Sequence, residues 1–260
     1  MVEVRQLRIE SALETVHREI DAALTEKRAF TDFLARLEAL EPREGPNQTP
    51  VAASATGDGG LSTLTGIGDV ATDDLRAVRT AYRETVMSVP HYESDYDDTL
   101  AENVRAEFGG ELARYVTGGG GLTPVVYGAL REESERARTE RVRFLAVLRR
   151  ERESLQQAEA TLNECERRAV ELADRLDEGT STGALEAAGE ELRELERRCG
   201  AVSEARQETI HTRSVTRLSG VDGDSLTGYL YSSCDSTCPV LADVAQCLGT
   251  VRYLRRRTLR

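Results

Sequence analysis

The stretch LTPVVYGALREESERARTERVRFLAVLRRERESLQQAEATLNECERRAVELADRL, residues 122–176, decides the fold, because apolar side chains recur along it at alternating steps of four and three residues. This spacing keeps the apolar line, here called the seam, on one face of a helix and is typical of coiled coils. Thr123 is placed to cap the helix, and Pro124 suits its first turn. The seam runs through Leu130, Ser134, Ala137, Arg141, Phe144, Leu148, Glu151, Leu155, Ala158, Leu162, Cys165, Ala169, Leu172 and Leu176. We therefore predict one long helix that tolerates three polar interruptions.

A second long helix follows a short turn. The segment DEGTSTG at 177–183 breaks the pattern, which then resumes at Leu185, Ala188, Leu192, Leu195, Cys199 and Val202. A short connection between two long helices makes them antiparallel. The sequence thus predicts a long antiparallel coiled-coil hairpin over residues 122–218.

The amino-terminal segment carries the same pattern. Its seam is Ile9, Leu13, Val16, Ile20, Ala23, Lys27, Phe30, Leu34 and Leu37. Pro42 ends the predicted helix over residues 1–41. We expect this helix to join the hairpin and form a three-helix rod, so the predicted fold is all-α.

Two smaller segments lie between the amino-terminal helix and the hairpin. Residues 42–66 are rich in Pro, Gly, Ser and Thr, which predicts a flexible linker. Residues 67–117 form a predicted small helical module, with Thr72 as the cap of its first helix.

The carboxy-terminal segment, residues 219–260, is predicted to be a helical cap. A short helix is expected around residues 225–231, and a last helix begins near Pro239. The apolar face of the last helix is Val240, Leu241, Val244, Leu248, Val251 and Leu254.

The composition favours elongated helical packing over a thick core. The chain of 260 residues has no Trp, four Phe and 31% charged residues, which leaves few large apolar side chains for one globular interior. The formal net charge is −12, and Lys27 is the one lysine among 34 basic residues. This skew is typical of proteins from saturated brine, where salt screens charges beyond about 3 Å. The acidic surface then acts first as a solubility device.

The amino terminus MVEVRQLRIESALE lacks the apolar core of a secretion signal, and no run of 18 uncharged apolar residues occurs. We therefore expect a cytoplasmic protein without a membrane partner. An odd number of cysteines, five, is typical of reduced thiols and not of a disulfide framework.

The cysteines fall into two groups. Cys165 and Cys199 occupy seam positions on the two hairpin arms, where they are predicted to be small buried thiols, with a disulfide between them only borderline in geometry. Cys234 and Cys238 precede the last helix, a position where thiols are more reactive, so they form either a redox pair or an incidental loop. Zinc is disfavoured, because no second cysteine pair exists and His211 could supply a third ligand at most.

The segment from Pro90 to Asp98 is the strongest candidate for a ligand or partner site. The pyrrolidine ring of Pro90 ends the preceding helix, and an extended chain after it places alternate side chains on one side. The candidate site residues are His91, Tyr92, Glu93, Asp95, Tyr96 and Asp97. The carboxylate spacing does not match an EF-hand. The alternative is a plain connector, in which Thr99 and Glu102 form a capping box for the next helix.

The segment YRETVMSVPHYESDYDDTLAENV, residues 82–104, resembles an uncharacterised family of acidic haloarchaeal helical proteins. The likeness is strongest over residues 72–108 and extends more loosely to the YLY and PVL motifs near the carboxy terminus. The resemblance implies a haloarchaeal source, a cytoplasmic setting and a helical fold. It transfers no catalytic residue, since the family has no established activity.

No catalytic constellation is recognisable. The Gly runs GDGG and GGGG lack the Lys and Ser or Thr of a phosphate-binding loop, and no Ser, His and Asp arrangement suggests a triad. A terminal basic patch could touch nucleic acid, but net acidity and salt disfavour it. The patch consists of Arg252, Arg255, Arg256, Arg257 and Arg260.

The sequence therefore favours a non-enzymatic interaction or scaffold protein without a cofactor or metal. It would bind a protein partner, or self-associate, through its helical seams. The alternative is a redox- or metal-responsive regulator that uses Cys234 and Cys238.

Overall fold

The computed structural model describes residues 7–42, 65–92, 98–118, 121–177, 181–215 and 223–259. In this part of the chain the secondary structure is helical and contains no strand, so the predicted all-α fold is confirmed. The elements are α1 (Arg8–Glu38), α2 (Thr65–Thr85), a 3₁₀ turn η1 (Val86–Ser88), α3 (Leu100–Phe108), α4 (Gly110–Thr117), α5 (Pro124–Asp177), α6 (Thr182–Val215), α7 (Gly223–Tyr231) and α8 (Pro239–Thr258). Among the described residues, no helix has an apolar stretch long enough to cross a membrane.

The chain divides into two compact units whose boundaries lie inside the long helices. Unit 1 comprises residues 1–20 and 146–260, and unit 2 comprises residues 21–145. Helices α1 and α5 therefore each contribute to both units. The segments predicted from sequence divide instead at the loops, because loops are where composition changes.

Within unit 1, ion pairs show that α5 and α6 run antiparallel, as the hairpin prediction requires. Glu151 on α5 pairs with Arg206 on α6, and further along α5 Arg168 pairs with Glu191, which lies earlier on α6. The intervening connection, residues 178–180, lies outside the described residues.

The closest helix neighbour of α6 in unit 1 is α8, which the sequence analysis placed in a separate terminal cap. Glu196 on α6 accepts a hydrogen bond of 2.7 Å from Arg252 on α8. The backbone N–H of Ile9, at the start of α1, donates to the Asp243 carboxylate of α8 at 3.0 Å. Helix α8 therefore packs as a structural partner of α6 and α1.

Most of the predicted seam is buried in this single chain. The buried seam residues of α1 are Ile9, Leu13, Val16, Ile20, Ala23, Phe30, Leu34 and Leu37. On α5, Phe144 and Leu176 are partly exposed, and Leu145 and Ala173 are buried instead. An α-helix has 3.6 residues per turn and drifts relative to a strict 3.5-residue repeat, which displaces the buried positions over a helix of 54 residues.

The core of unit 2 is built on four aromatic rings in mutual contact. Between ring centroids, Tyr82 lies 5.2 Å from Phe33 and 5.5 Å from Phe108. The Phe30 centroid lies 6.3 Å from that of Phe108. The Tyr82 hydroxyl donates to the Asn103 side-chain oxygen at 2.7 Å. Burial raises the pKa of Tyr82, so this hydroxyl keeps its proton and remains a donor.

The predicted caps are present at two helix starts. Thr99 and Glu102 form the expected capping box of α3, and the Thr123 hydroxyl accepts the N–H of Val126 at the start of α5. Hydrogen bonds from Thr99 lower the pKa of Glu102. This stabilising contribution is present above the ordinary carboxyl pKa and is lost as the pH falls through the lowered value.

The predicted start of α2 is wrong. The helix begins at Thr65 and passes through Thr72, which was expected to be its cap. Ile67 and Ala71 continue the spacing of the seam toward the amino terminus, so the apolar pattern begins earlier than the cap signal suggested. Of the predicted linker, residues 43–64 lie outside the described residues.

Candidate functional site

The structure places two of the six candidate site residues, His91 and Tyr92, against α1 and α3 of unit 2. His91 is half-buried and Tyr92 is buried. The other four, Glu93, Asp95, Tyr96 and Asp97, lie outside the described residues, so the proposed row of ligands remains a prediction.

His91 belongs to a charged network that links three helices. Its Nε2 lies 3.0 Å from Oε1 of Glu26 on α1, and Arg141 on α5 donates from Nε to the other Glu26 oxygen at 3.0 Å. Arg141 also donates two hydrogen bonds, of 2.6 and 3.0 Å, to the carboxylate of Glu107 on α3. Its guanidinium carbon lies 5.0 Å from the centroid of the Phe30 ring. One cation therefore holds two carboxylates and one aromatic face.

The electrostatics of this network favour a fully ionised Arg141. Burial by itself lowers the pKa of this guanidinium, but the Glu107 carboxylate, and then Glu26, raise it above its ordinary value. Both carboxylate side chains are only 17% exposed. Two carboxylates at this depth require such a cation, because an uncompensated buried charge is strongly unfavourable.

Among the described residues, the interior beside the network encloses little space. Tyr92 donates from its hydroxyl to the backbone oxygen of Asp98 at 3.2 Å. The cavity that Tyr92, Glu107 and Arg141 line measures about 10 Å³, which is no more than the space for one water molecule. The two described residues of this segment therefore make contacts of the kind expected of a connector, with His91 bound to α1 and Tyr92 bound to the residue before Thr99, and the choice between connector and site stays a prediction.

An open groove lies on the surface of unit 2 next to this connector. It has a volume of about 460 Å³. Its lining residues come from α1 and from the end of α2 through Pro90: Thr25, Arg28, Ala29, Asp32, Ala35, Arg36, Glu84, Thr85, Ser88, Val89 and Pro90. Small side chains such as Ala29, Ala35 and Ser88 are among its lining residues, and Arg36 on α1 pairs with Glu84 on α2 at 2.5 Å. The groove thus lies between α1 and the end of α2 with the turn that follows it.

Unit 1 contains a second buried charged network, centred on Glu151. Arg206 on α6 donates two hydrogen bonds to its carboxylate, of 2.8 and 2.9 Å, and the Tyr231 hydroxyl on α7 donates a third. All three side chains are buried. Hydrogen bonds from Arg206 and Tyr231 thus fasten α6 and α7 to α5.

Cys234 and Cys238, the predicted redox pair, differ in their environments. Cys234 is partly buried, with its sulfur 3.9 Å from the Thr15 hydroxyl and 4.0 Å from that of Ser11. Cys238 is exposed and precedes the first residue of α8. Among the described residues, no group of three or more His, Cys, Asp or Glu side chains is arranged to hold a metal ion.

Sequence reasoning noted Arg141 and Glu151 only as interruptions of the seam. Each is the centre of a network whose partners lie far away in sequence. The signal available was the polar side chain at a position where the pattern demands burial, because a buried charge needs a partner. The identity of those partners required the tertiary structure.

His91→Ala is expected to lower the free energy of unfolding by about 1 kcal/mol, the usual contribution of one partly buried hydrogen bond. The loss is small because Glu26 keeps its bond to Arg141. Thermal unfolding followed by circular dichroism measures it, with His17→Ala on the exposed face of α1 as the matched control. A variant that melts like the wild type but loses calcium or magnesium binding in calorimetry would instead indicate a ligand site.

Comparison with known proteins gives one result. A family model described as a domain of unknown function (DUF7260) matches residues 7–255. The match includes both charged networks and the groove. No curated protein and no solved structure matches the chain.

Proposed function

This chain belongs to the DUF7260 family, and we propose that it is a non-enzymatic interaction protein that binds a protein partner, or a second copy of itself, at the groove of unit 2. The observation that carries the proposal is the groove itself, an open surface of about 460 Å³ beside the His91 connector. Its size is that of a site able to accept several side chains of a partner.

The surface chemistry of the groove supports a protein as the occupant. Arg28 and Asp32 lie one turn apart on α1, both are exposed, and neither makes an ion pair with another residue that the structure describes. Exposed charges of both signs around small side chains suit the polar rim of a protein interface. A strongly basic or strongly acidic ligand would meet one repulsive charge.

The engagement of the other polar groups argues against catalysis. In the described part of the chain, the half-buried carboxylate of Glu107 and the buried carboxylate of Glu151 bind arginines. An acid, base or nucleophile must be able to reach a substrate. Each of these carboxylates instead faces an arginine within its own unit. Most seam residues are also buried within this chain. We therefore favour the groove over the seams as the surface that binds a partner.

The proposal includes the setting of the protein. We infer a cytoplasmic, haloarchaeal protein, for which the acidic surface with a single lysine and five free cysteines are the supporting observations. The helices that follow the heptad pattern are proposed to pack as coiled coils. Functional experiments should therefore be carried out in molar potassium chloride, in which such a protein would retain its helical content.

Photo-crosslinking tests the proposed interaction directly. A benzoylphenylalanine placed at Ser88, which is exposed in the groove, is expected to give one discrete protein adduct in the producing cells. Mass spectrometry then identifies the adduct as a second copy or a different protein, and either result supports an interaction.

Two matched variants, each with one alanine replaced by tryptophan, provide the control. Ala35→Trp fills the groove and should abolish the adduct, whereas Ala101→Trp, at an exposed position on α3 outside the groove, should leave it unchanged. The proposal fails if no discrete adduct forms, or if both tryptophan variants retain it equally. Circular dichroism of each variant verifies that the helices remain.

A further inference from the structure

Three thiols from three helices meet in the core of unit 1. Cys165 lies on α5, Cys199 on α6 and Cys247 on α8, and all three are fully buried. The Cys199 thiol donates to the Cys247 sulfur at 3.3 Å. Cys165 is a neighbour of both other sulfurs. Cys234, which is partly buried beside Ser11 and Thr15, and Cys238, which is exposed, do not belong to this cluster.

Helix packing brings these thiols together from distant parts of the sequence. Cys165 and Cys199 are seam positions of the hairpin, and Cys247 follows Val244 by three residues on the buried face of α8. Because α6 and α8 pack closely along their length, the two sulfurs are held together by the backbone and not by a mobile loop. The arrangement is therefore a fixed feature of the fold.

We propose that Cys199 and Cys247 form a reversible thiol–disulfide site, oxidised by a small-molecule disulfide. In the reaction, each cysteine loses its S–H bond, one S–S bond forms between Cys199 and Cys247, and the S–S bond of the reagent breaks. The two cysteines are oxidised, and the reagent is reduced to two thiol molecules that carry away both protons. The sulfurs must approach by about 1.3 Å to reach the S–S bond length of roughly 2.0 Å.

Cys165 is the third thiol of this buried cluster, and its place beside both other sulfurs makes it the candidate for the first attack on the reagent. Contacts with Cys199 and Cys247 lower the pKa of the Cys165 thiol, and contacts with Cys165 and Cys199 raise the pKa of Cys247. A thiolate is the form that attacks a disulfide. The first attack joins half of the reagent to Cys165 and releases one thiol molecule. Cys199 then attacks the Cys165 sulfur and releases the second thiol molecule, and Cys247 attacks the Cys199 sulfur, which forms the Cys199–Cys247 bond and returns Cys165 as a thiol.

The consequence of oxidation is a covalent link between α6 and α8. The closed loop contains α7 together with Cys234 and Cys238, and its ends are 48 residues apart in sequence. Closing such a loop restricts the unfolded chain. Oxidation should therefore raise the melting temperature and hold α8 on α6.

The test is peptide mapping after oxidation with 4,4′-dithiodipyridine, in a Cys234→Ser, Cys238→Ser variant that retains only the buried thiols. Trypsin places the three cysteines in separate peptides, residues 153–167, 199–206 and 218–252. We expect release of two pyridinethione molecules per protein and a covalent link between the second and third peptides that dithiothreitol reverses. The reagent enters by local opening of the core, so the reaction is followed for hours.

The unsubstituted chain and two further variants complete the experiment. The wild type should give the same linked peptides, and Cys165→Ala should give them more slowly. Cys199→Ser, verified to be helical by circular dichroism, should give no link to residues 218–252. The proposal is overturned if all three buried thiols can still be alkylated in denaturant after oxidation, or if the stable product links Cys165.

Discussion

Glu151→Ala is expected to lower the free energy of unfolding by about 3–5 kcal/mol. The substitution removes the acceptor of three hydrogen bonds and leaves the Arg206 guanidinium and the Tyr231 hydroxyl buried without it. Arg206 is only 4% exposed, so water cannot replace the lost carboxylate without opening the helices. Urea unfolding in molar potassium chloride, followed by circular dichroism, measures the loss.

A surface ion pair of the same residue types is the matched control. Glu190 pairs with Arg193 on the exposed side of α6, and such pairs contribute little because water and salt screen them. Glu190→Ala should therefore unfold at the wild-type urea concentration. An equal loss of stability in the two variants would mean that burial of Glu151 has no special consequence.

Arg141→Met is expected to lower the free energy of unfolding by about 2–4 kcal/mol, somewhat less than for Glu151 because the network is 17% exposed. It leaves the carboxylates of Glu26 and Glu107 without their shared cation and removes the contact with the Phe30 ring. The same urea titration measures the change.

Two substitutions on α5 separate charge from geometry. Arg141→Lys keeps the positive charge but cannot donate two parallel hydrogen bonds to Glu107. Its free energy of unfolding should therefore lie between those of the wild type and Arg141→Met. Arg143→Met changes an exposed side chain two residues away and should have no measurable effect. If Arg141→Met were as stable as Arg143→Met, the network would not hold unit 2 together.

The helices could be predicted from sequence because their signals are local. The seam of α5, the Thr123 cap and the capping box of Thr99 and Glu102 each depend on residues within a few turns of one another. The same reasoning failed at Thr72, where a good cap residue lies inside a longer helix. The apolar pattern that continues to Ile67 indicates the start of this helix better than the cap signal at Thr72 does.

The candidate site could be predicted only in outline. The break at Pro90 is a local feature, but the groove needs α1 to lie beside the end of α2. The partners of Arg141 and Glu151 are likewise brought close by tertiary packing. The thiol cluster shows the same limit, since Cys247 meets Cys199 only once α8 packs on α6.

The central claim is that the buried polar positions of the seam hold the helices together. A double-mutant cycle of Glu151→Met and Arg206→Leu tests it most directly, with Tyr231→Phe in every protein so that no hydroxyl is stranded. The account predicts that the doubly substituted protein is more stable than either single variant, with an interaction energy of about 2–3 kcal/mol. Additive losses within about 0.5 kcal/mol would contradict it.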